Sequence, residues 1–319
     1  MKKATTRFLA ILLLAVPGVG QAHMEPGIAS ALDQSQPYRI AYQDRLVTDV
    51  FINGRGPFTF VIDSASSRTV IYEHVRAQLG LKASSPEPII VFGINRSMPA
   101  MAVEPDRLDV VGQQIRGLTM GVLPDTEQKD DPDGVLGVDA LSRYFVVLDR
   151  STMRLKLLPR EAAKAYTGWD RMTLTPRPLK NLAVTFWFVS TAFNGHIMPA
   201  LFDLGSGITL MNWMAAERLG MERHAAILRY GPPPEGLRDV LGEVAPAVVV
   251  NGVKIAFADQ AWHKQEVLVS DAPVFDFFDM GDKPGAIIGP GLLKDNSLAI
   301  DFAGHALYIG PKVAPTAID

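Results

Sequence analysis

The sequence predicts an all-β protein built of two homologous β-barrel lobes with short helices, and three observations carry that expectation. The first is a motif that occurs twice, as Val61-Ile62-Asp63-Ser64-Ala65-Ser66 and as Leu201-Phe202-Asp203-Leu204-Gly205-Ser206. The second is its register. Asp63, Ser66, Thr69, Leu79 and Gly80 recur 140 residues later as Asp203, Ser206, Thr209, Leu219 and Gly220. Gly137, Leu141, Asp149, Leu155 and Pro159 recur 152 residues later as Gly289, Leu293, Asp301, Leu307 and Pro311, so the second copy carries a net 12-residue insertion. Units of this length are too long for a solenoid and read as two lobes. The third is the prevalence of short alternating runs bounded by Gly, Pro and Asn, with helical spacing confined to brief stretches.

Taken from the N-terminus, residues 1–22 form a separate element. Lys2, Lys3 and Arg7 precede an apolar run over residues 8–16, and Gly20-Gln21-Ala22 offers a small-residue cleavage site. That order is the pattern of a secretory signal peptide, and the run is too short to span a bilayer. The expected division is therefore a leader at 1–22, a first lobe at 23–165 and a second lobe at 166–319. Residues 47–62 alternate around Asn53-Gly54-Arg55-Gly56 as two strands joined by a tight turn, and the second strand runs into Asp63. The small residues 64–67 mark a turn, residues 72–79 have helical spacing, and Gly80 is placed to stop that helix. The second copy repeats this with a helix over 211–219 ending at Gly220. Short β-like runs fill 89–123, and the acidic loop 125–133 is expected to be solvated. Phe145 to Asp149 reads as a buried strand, followed by a turn and a strand over 154–158. The linker is expected near 159–170. Residues 286–309 repeat this ending, and Gly231-Pro232-Pro233-Pro234 reads as a loop.

Composition narrows the function classes. The 319 residues are 48% apolar and 20% charged, which is ordinary for a globular protein. Without the leader, 28 Lys and Arg stand against 34 Asp and Glu, a formal charge of about −6, so nothing favours nucleic acid or an anionic membrane. There is no cysteine, hence no disulfide and no thiolate metal site. The six histidines show no paired ligand spacing, so neither metal nor cofactor is expected. Export without cysteine fits a bacterial periplasmic or secreted protein. No membrane span is expected once the leader is removed.

The chemistry rests on the aspartates. A carboxylate at the end of a buried strand, followed by a turn of small residues, is held out from a rigid base. Two such turns meeting across a twofold axis would bring the carboxyls together, and the pair would then share one proton. The ionised member can take a proton from an attacking water while the protonated member donates to an amide carbonyl. Activity of such a pair is expected to give a bell-shaped pH profile on the acidic side of neutrality. Asp149 and Asp301 read as turn-stabilising residues, Asp139 as a local one, and Trp213 and Trp262 as packing residues.

These residues resemble the pepsin and retropepsin-like aspartic peptidases, most closely bacterial exported members with duplicated lobes. The resemblance rests on the apolar pair before each aspartate, the turn and helix ending in Leu79-Gly80 or Leu219-Gly220, and the apolar-apolar-glycine elements Val135-Leu136-Gly137 and Ile287-Ile288-Gly289. It implies an exported aspartic-type endopeptidase, monomeric, acting on a peptide or protein substrate. It implies Asp63 and Asp203 as the catalytic dyad around one water, with Ser64, Ser66, Gly205 and Ser206 as supporting loop residues. Phe92 and Gly93 would lie in a substrate-covering hairpin over 89–103. Two positions depart from the family's Asp-Thr/Ser-Gly triplet. Ala65 stands where glycine is expected and resists a positive φ. Leu204 stands where a hydroxyl would reach across to the opposite loop, a role that Ser64 can still fill. The alternative expectation is a catalytically impaired homologue that binds peptides or envelope proteins in the cleft between lobes.

Overall fold

Strands Leu46–Ile52 and Arg55–Ile62 pair antiparallel across a turn in which Asn53 and Gly54 both take positive φ. This is the hairpin that Asn-Gly favours. The computed structural model describes residues 7–8, 13–15, 34–41, 44–93, 96–126, 131–179, 184–223, 236–238 and 244–313. The expected leader lies outside these residues except for two short strands, Arg7–Phe8 and Leu13–Ala15, the latter pairing with the edge strand Ile89–Phe92. The expected loop at 231–234 also lies outside them. The protein is mostly β, with few short helices, as the alternation implies. Among the described residues no helix is long and apolar enough to cross a membrane.

Each aspartate-bearing strand is built into its surroundings in the same way. Arg55–Ile62 lies parallel to Gly134–Leu136, with Phe60 opposite Gly134 and Ile62 opposite Leu136. Val70–Tyr72 pairs antiparallel with the other edge of Gly134–Leu136. In the C-terminal half, His196–Phe202 lies parallel to Ala286–Ile288, with Ala200 opposite Ala286 and Phe202 opposite Ile288, and Thr209–Met211 pairs on the other side. These pairings carry the same 140- and 152-residue offsets as the sequence matches. The glycine that ends each central strand passes against the loop after the aspartate. A Cβ at Gly137 would overlap the backbone of Arg68 and Thr69, and one at Gly289 would overlap Ser206 and Ile208. Glycine is required there because of this close approach, not because of its backbone angle.

The helix after the first aspartate loop spans Glu73–Leu79 and ends on Gly80 in the left-handed conformation, φ 67°. Its counterpart spans Trp213–Arg218 and starts two residues later than the spacing implies. The reason is Asn212, whose Oδ1 accepts the Ala215 N–H at 2.9 Å and caps the helix. Its Nδ2 donates to Met280 O and Lys283 O, at 2.6 and 2.7 Å, tying the helix to the loop before Ala286. The linker is not a plain loop, since Arg160–Tyr166 is a 3-10 helix.

Two halves of the chain meet in one antiparallel sheet. Phe145–Asp149 pairs with Arg154–Leu158 on one side and with Asn296–Asp301 on the other, and the latter pairs with Ala306–Lys312. Phe145 faces Asp301 and Val147 faces Ala299. Val147 and Ala299 are 152 residues apart, so each stands opposite its own sequence counterpart, the pattern of an isologous contact about a twofold axis. In the C-terminal half, Thr185–Phe193 also pairs with Val248–Phe257, Phe193 facing Ile255, which curls that sheet toward closure.

The acidic loop is solvated at Asp125, whose side chain is 48% exposed, but differs from expectation at Asp131. Residues 127–130 lie outside the described ones, but Asp131 is not solvated. It pairs with Arg45 at 3.3 Å, and the side chains are 8% and 2% exposed. Arg45 is among the largest fully buried side chains, and burying it requires a carboxylate partner. The ends of the loop are drawn together by His74, whose Nδ1 and Nε2 lie 2.6 Å from Asp125 Oδ1 and 2.9 Å from Asp133 Oδ1.

Candidate active site

Asp63 and Asp203 stand just past the ends of their strands. Each backbone N–H is held by the neighbouring central strand, Asp63 N donating to Leu136 O at 3.1 Å and Asp203 N to Ile288 O at 2.9 Å. Both residues are fully buried. The two carboxyls are close enough to act on each other electrostatically, and Oδ2 of each is buried without a hydrogen-bond partner among the described residues. Two ionised carboxylates buried side by side repel, so the pair favours holding one proton between them.

The surrounding loops hold the pair unequally. Asp63 Oδ1 accepts the N–H groups of Ala65 and Ser66 at 2.7 and 2.9 Å, whereas Asp203 Oδ1 accepts that of Gly205 at 2.9 Å. Ser64 crosses between the loops. Its Oγ donates to Phe202 O at 2.8 Å and accepts the Leu204 N–H at 2.9 Å. Leu204 returns no such bond. Its side chain is fully buried in the main apolar core, so one hydroxyl bridges the two loops where a symmetric pair would use two. Ser66 and Ser206 do not bridge. Their hydroxyls donate to Arg68 O and Ile208 O, at 2.6 and 3.0 Å, and shape their own loops.

Ala65 causes no backbone strain, because neither it nor Gly205 has a positive φ. Its methyl group is fully buried in an apolar cluster with Phe186, Phe188 and Phe278 of the C-terminal half. Gly205 has no such room. A Cβ there would overlap the Asp63 carboxyl. Gly205→Ala is therefore expected to displace Asp63 and lower peptide turnover by about 10²-fold, the scale of a 1 Å misplacement, which steady-state kinetics would measure.

Phe92 ends strand Ile89–Phe92, and Gly93 N donates to Arg96 O at 2.8 Å to close the hairpin with Ser97–Val103. The Phe92 ring packs against Phe277, centroids 4.9 Å apart, in the same cluster as Ala65. No sequence signal pointed to Phe277, since the contact joins residues 185 positions apart in chain. Asp139 does more than the local role expected of it. Its Oδ1 accepts from Thr69 N and Oγ1, both at 2.8 Å, and Thr69 Oγ1 accepts the Gly137 N–H at 3.2 Å, bracing the aspartate loop. Burial pushes the Asp139 carboxyl up to about 6. Asp149 and Asp301 stabilise turns as expected, accepting Ser151 N at 3.0 Å and Gly304 N at 2.7 Å.

Burial drives the electrostatics of the pair. It raises the Asp63 carboxyl to about 7, against the opposing pull of the Ala65 and Ser66 N–H groups and the Asp203 side chain. Asp203 is raised well above the ordinary carboxylate range, by burial first and then by the negative charge of Asp63. Asp203 is raised further than Asp63, by the charge of Asp63 as well as by burial, so Asp63 is the first of the pair to ionise as pH rises. A reaction that needs this singly protonated pair gains activity as pH rises through about 7 and loses it only when Asp203 ionises. The pH dependence of kcat/KM is accordingly expected to rise near pH 7 and to have its plateau at neutral to alkaline pH, above the acidic range expected from the sequence.

Residues 48–140 match the model of a family described as aspartyl protease. The match spans Asp63, the hairpin over 89–103 and Gly137. No curated protein matches the chain.

Proposed function

We propose, from the premise that residues 48–140 match the model of a family described as aspartyl protease, that the chain is an aspartic-type endopeptidase whose dyad is Asp63 and Asp203. The observation that carries this reading is the pairing of two fully buried, mutually interacting carboxyls at the ends of equivalent strands, each with an unpartnered Oδ2. A structural protein gains nothing from placing two acidic groups in contact away from water, where one must be held neutral.

In this mechanism Asp63, ionised, takes a proton from a water held between the carboxyls as its oxygen attacks the peptide carbonyl carbon. Asp203 donates its proton to the carbonyl oxygen, giving a neutral gem-diol. Asp63 then passes its proton to the departing amine as the C–N bond breaks, and the diol proton returns to Asp203 as the acid product forms. The bracing of both loops by Ser64 keeps the carboxyls in place through these transfers. Phe92 and Gly93, at the end of the 89–103 hairpin, cover the bound peptide from the N-terminal half.

The two halves are read as duplicated lobes, supported by the shared offsets and by Val147 standing opposite Ala299. The basic, apolar and small-residue order of residues 1–22 supports export of the enzyme. The test is cleavage of a peptide library between pH 4 and 9 by wild type and by Asp63→Asn. Cleavage that persists in Asp63→Asn would remove the dyad reading. The alternative, a peptide-binding homologue without turnover, is favoured by Leu204, which leaves one of two cross-loop hydroxyl positions unfilled. It prevails if wild type binds library peptides and cleaves none.

A further inference from the structure

An open groove of about 760 Å³ lies on the C-terminal half, beside the strand that leads to Asp203. Such a volume is within the range of ligand sites. Its walls combine two features. One is apolar: Ile197, which is 65% exposed, together with Pro199 and Phe277. The other is cationic: Arg177, Arg218 and Lys283. Lys283 is engaged by Asp279 at 3.0 Å. Arg177 and Arg218 have no carboxylate partner among the described residues; the other carboxylates at the groove are Asp276 in its wall and Asp282 beside Lys283. The Arg177 guanidinium lies over the Phe188 ring, 4.4 Å from its centroid, which holds the planar fork in a fixed direction.

Two side chains of the groove wall also pack on the dyad's side of the molecule. Phe277 lines the groove and also packs on Phe92 of the 89–103 hairpin, and Phe278 shares a cluster with Ala65. Ile197 and Pro199 precede Asp203 by six and four residues on one strand. At about 3.3 Å per residue the groove begins roughly 13–20 Å from the carboxyl. An extended chain leaving the dyad covers that span in about four to six residues.

We infer that this groove is a docking site for an extended, acidic segment of the protein substrate, with Asp or Glu side chains paired to Arg177 and Arg218 and an apolar residue seated between Ile197 and Phe277. It rests on the peptidase reading for the nature of its occupant. The groove sets which substrates are held and adds nothing to the bond-breaking step. Guanidinium groups suit this role because they accept carboxylates in two parallel hydrogen bonds.

The test uses full-length protein carrying Asp203→Asn, so that peptide stays intact, and two fluorescent peptides of about twelve residues. They share one apolar centre and differ in having Glu or Lys four to six positions to either side. Anisotropy at low salt is expected to show the Glu peptide bound about tenfold tighter, the scale of two exposed ion pairs. Adding Arg177→Glu and Arg218→Glu is expected to invert the preference toward the Lys peptide, a gain that misfolding cannot produce. Equal affinity for both peptides, or a preference unchanged by the double reversal, overturns the inference. Cleavage by wild type is read separately. Cleavage without charge preference removes the groove and leaves the peptidase, whereas preference without cleavage keeps the groove and removes the peptidase.

Discussion

Asp63→Asn and Asp203→Asn are each expected to abolish peptide cleavage and, at neutral pH, to raise the melting temperature. The first effect follows from the division of labour in the pair. Asparagine at 63 cannot take the proton of water, and at 203 it has no acidic proton to give, so either change should lower turnover by at least about 10⁴-fold, the upper range for loss of acid–base catalysis. The second effect follows from the burial of both groups. The ordinary Asp63 carboxyl titrates near 3.8, but in the folded protein it is pushed up to about 7. Between these values the folded state holds a proton that the unfolded state has released. Stability therefore falls as pH rises across this window, and the full penalty is present above about pH 7. Asn at position 63 removes this carboxyl's titration and leaves Asp203 raised by burial without the neighbouring charge. The stabilisation should be near zero below about pH 4 and grow to roughly 2 kcal/mol or more at pH 8, or about 5 °C in melting temperature. Thermal denaturation of wild type and variant at pH 4 and pH 8 separates this from a uniform packing change. An equal melting temperature at both pH values would show that the pair carries no buried charge.

The repeat was legible because it is written in absolute spacing. Asp63 and Asp203, Gly137 and Gly289, and Asp149 and Asp301 each keep one side-chain type at one offset, and glycine at 137 and 289 is fixed by backbone that passes too close for a Cβ. Local rules also located the Asn53-Gly54 hairpin and the stop at Gly80. What could not be read depended on residues far apart in chain. Ala65 looked disruptive because a glycine site often means positive φ. Its methyl group is instead received by Phe186, Phe188 and Phe278, which no local pattern around position 65 announces. The acidic loop looked solvated because charge runs commonly are, yet Arg45 lies buried 86 residues earlier and requires Asp131. Helix capping moved a boundary for a similar reason. Asn212 satisfies Ala215, Met280 and Lys283 together, and two of those partners are on a distant loop. The upward shift of the Asp63 carboxyl could not be read locally, because burial outweighs the hydrogen bonds that lower it and depth of burial is not a property of a hexapeptide.

Ser64→Ala is expected to have the next largest effect, on activity and stability at once. Among the described residues the hydroxyl is the side chain that bridges the two aspartate loops by hydrogen bonds, donating to Phe202 O and accepting the Leu204 N–H. Both groups flank Asp203 in sequence, so the bridge sets where Asp203 sits relative to Asp63. Alanine leaves a buried N–H and a buried carbonyl without this partner, and a few kcal/mol is the expected cost, about 2–4. The sheet that joins Phe145–Asp149 to Asn296–Asp301 does not involve Ser64, so the two halves should remain together. Turnover should nonetheless fall by about 10²- to 10³-fold, because a displacement of Asp203 changes its position relative to Asp63. Ser64→Thr keeps the hydroxyl and should retain most of the activity if its added methyl is accommodated beside Phe202. Leu204→Thr tests the same bridge from the other side. It would supply the second hydroxyl but remove a fully buried leucine side chain from the core, a loss of about 2–3 kcal/mol. Faster turnover in a less stable protein is therefore the expected result. Kinetics and melting temperatures of all three variants give the check: a Ser64→Ala enzyme as fast as wild type would mean that the carboxyls are held by their own loops alone.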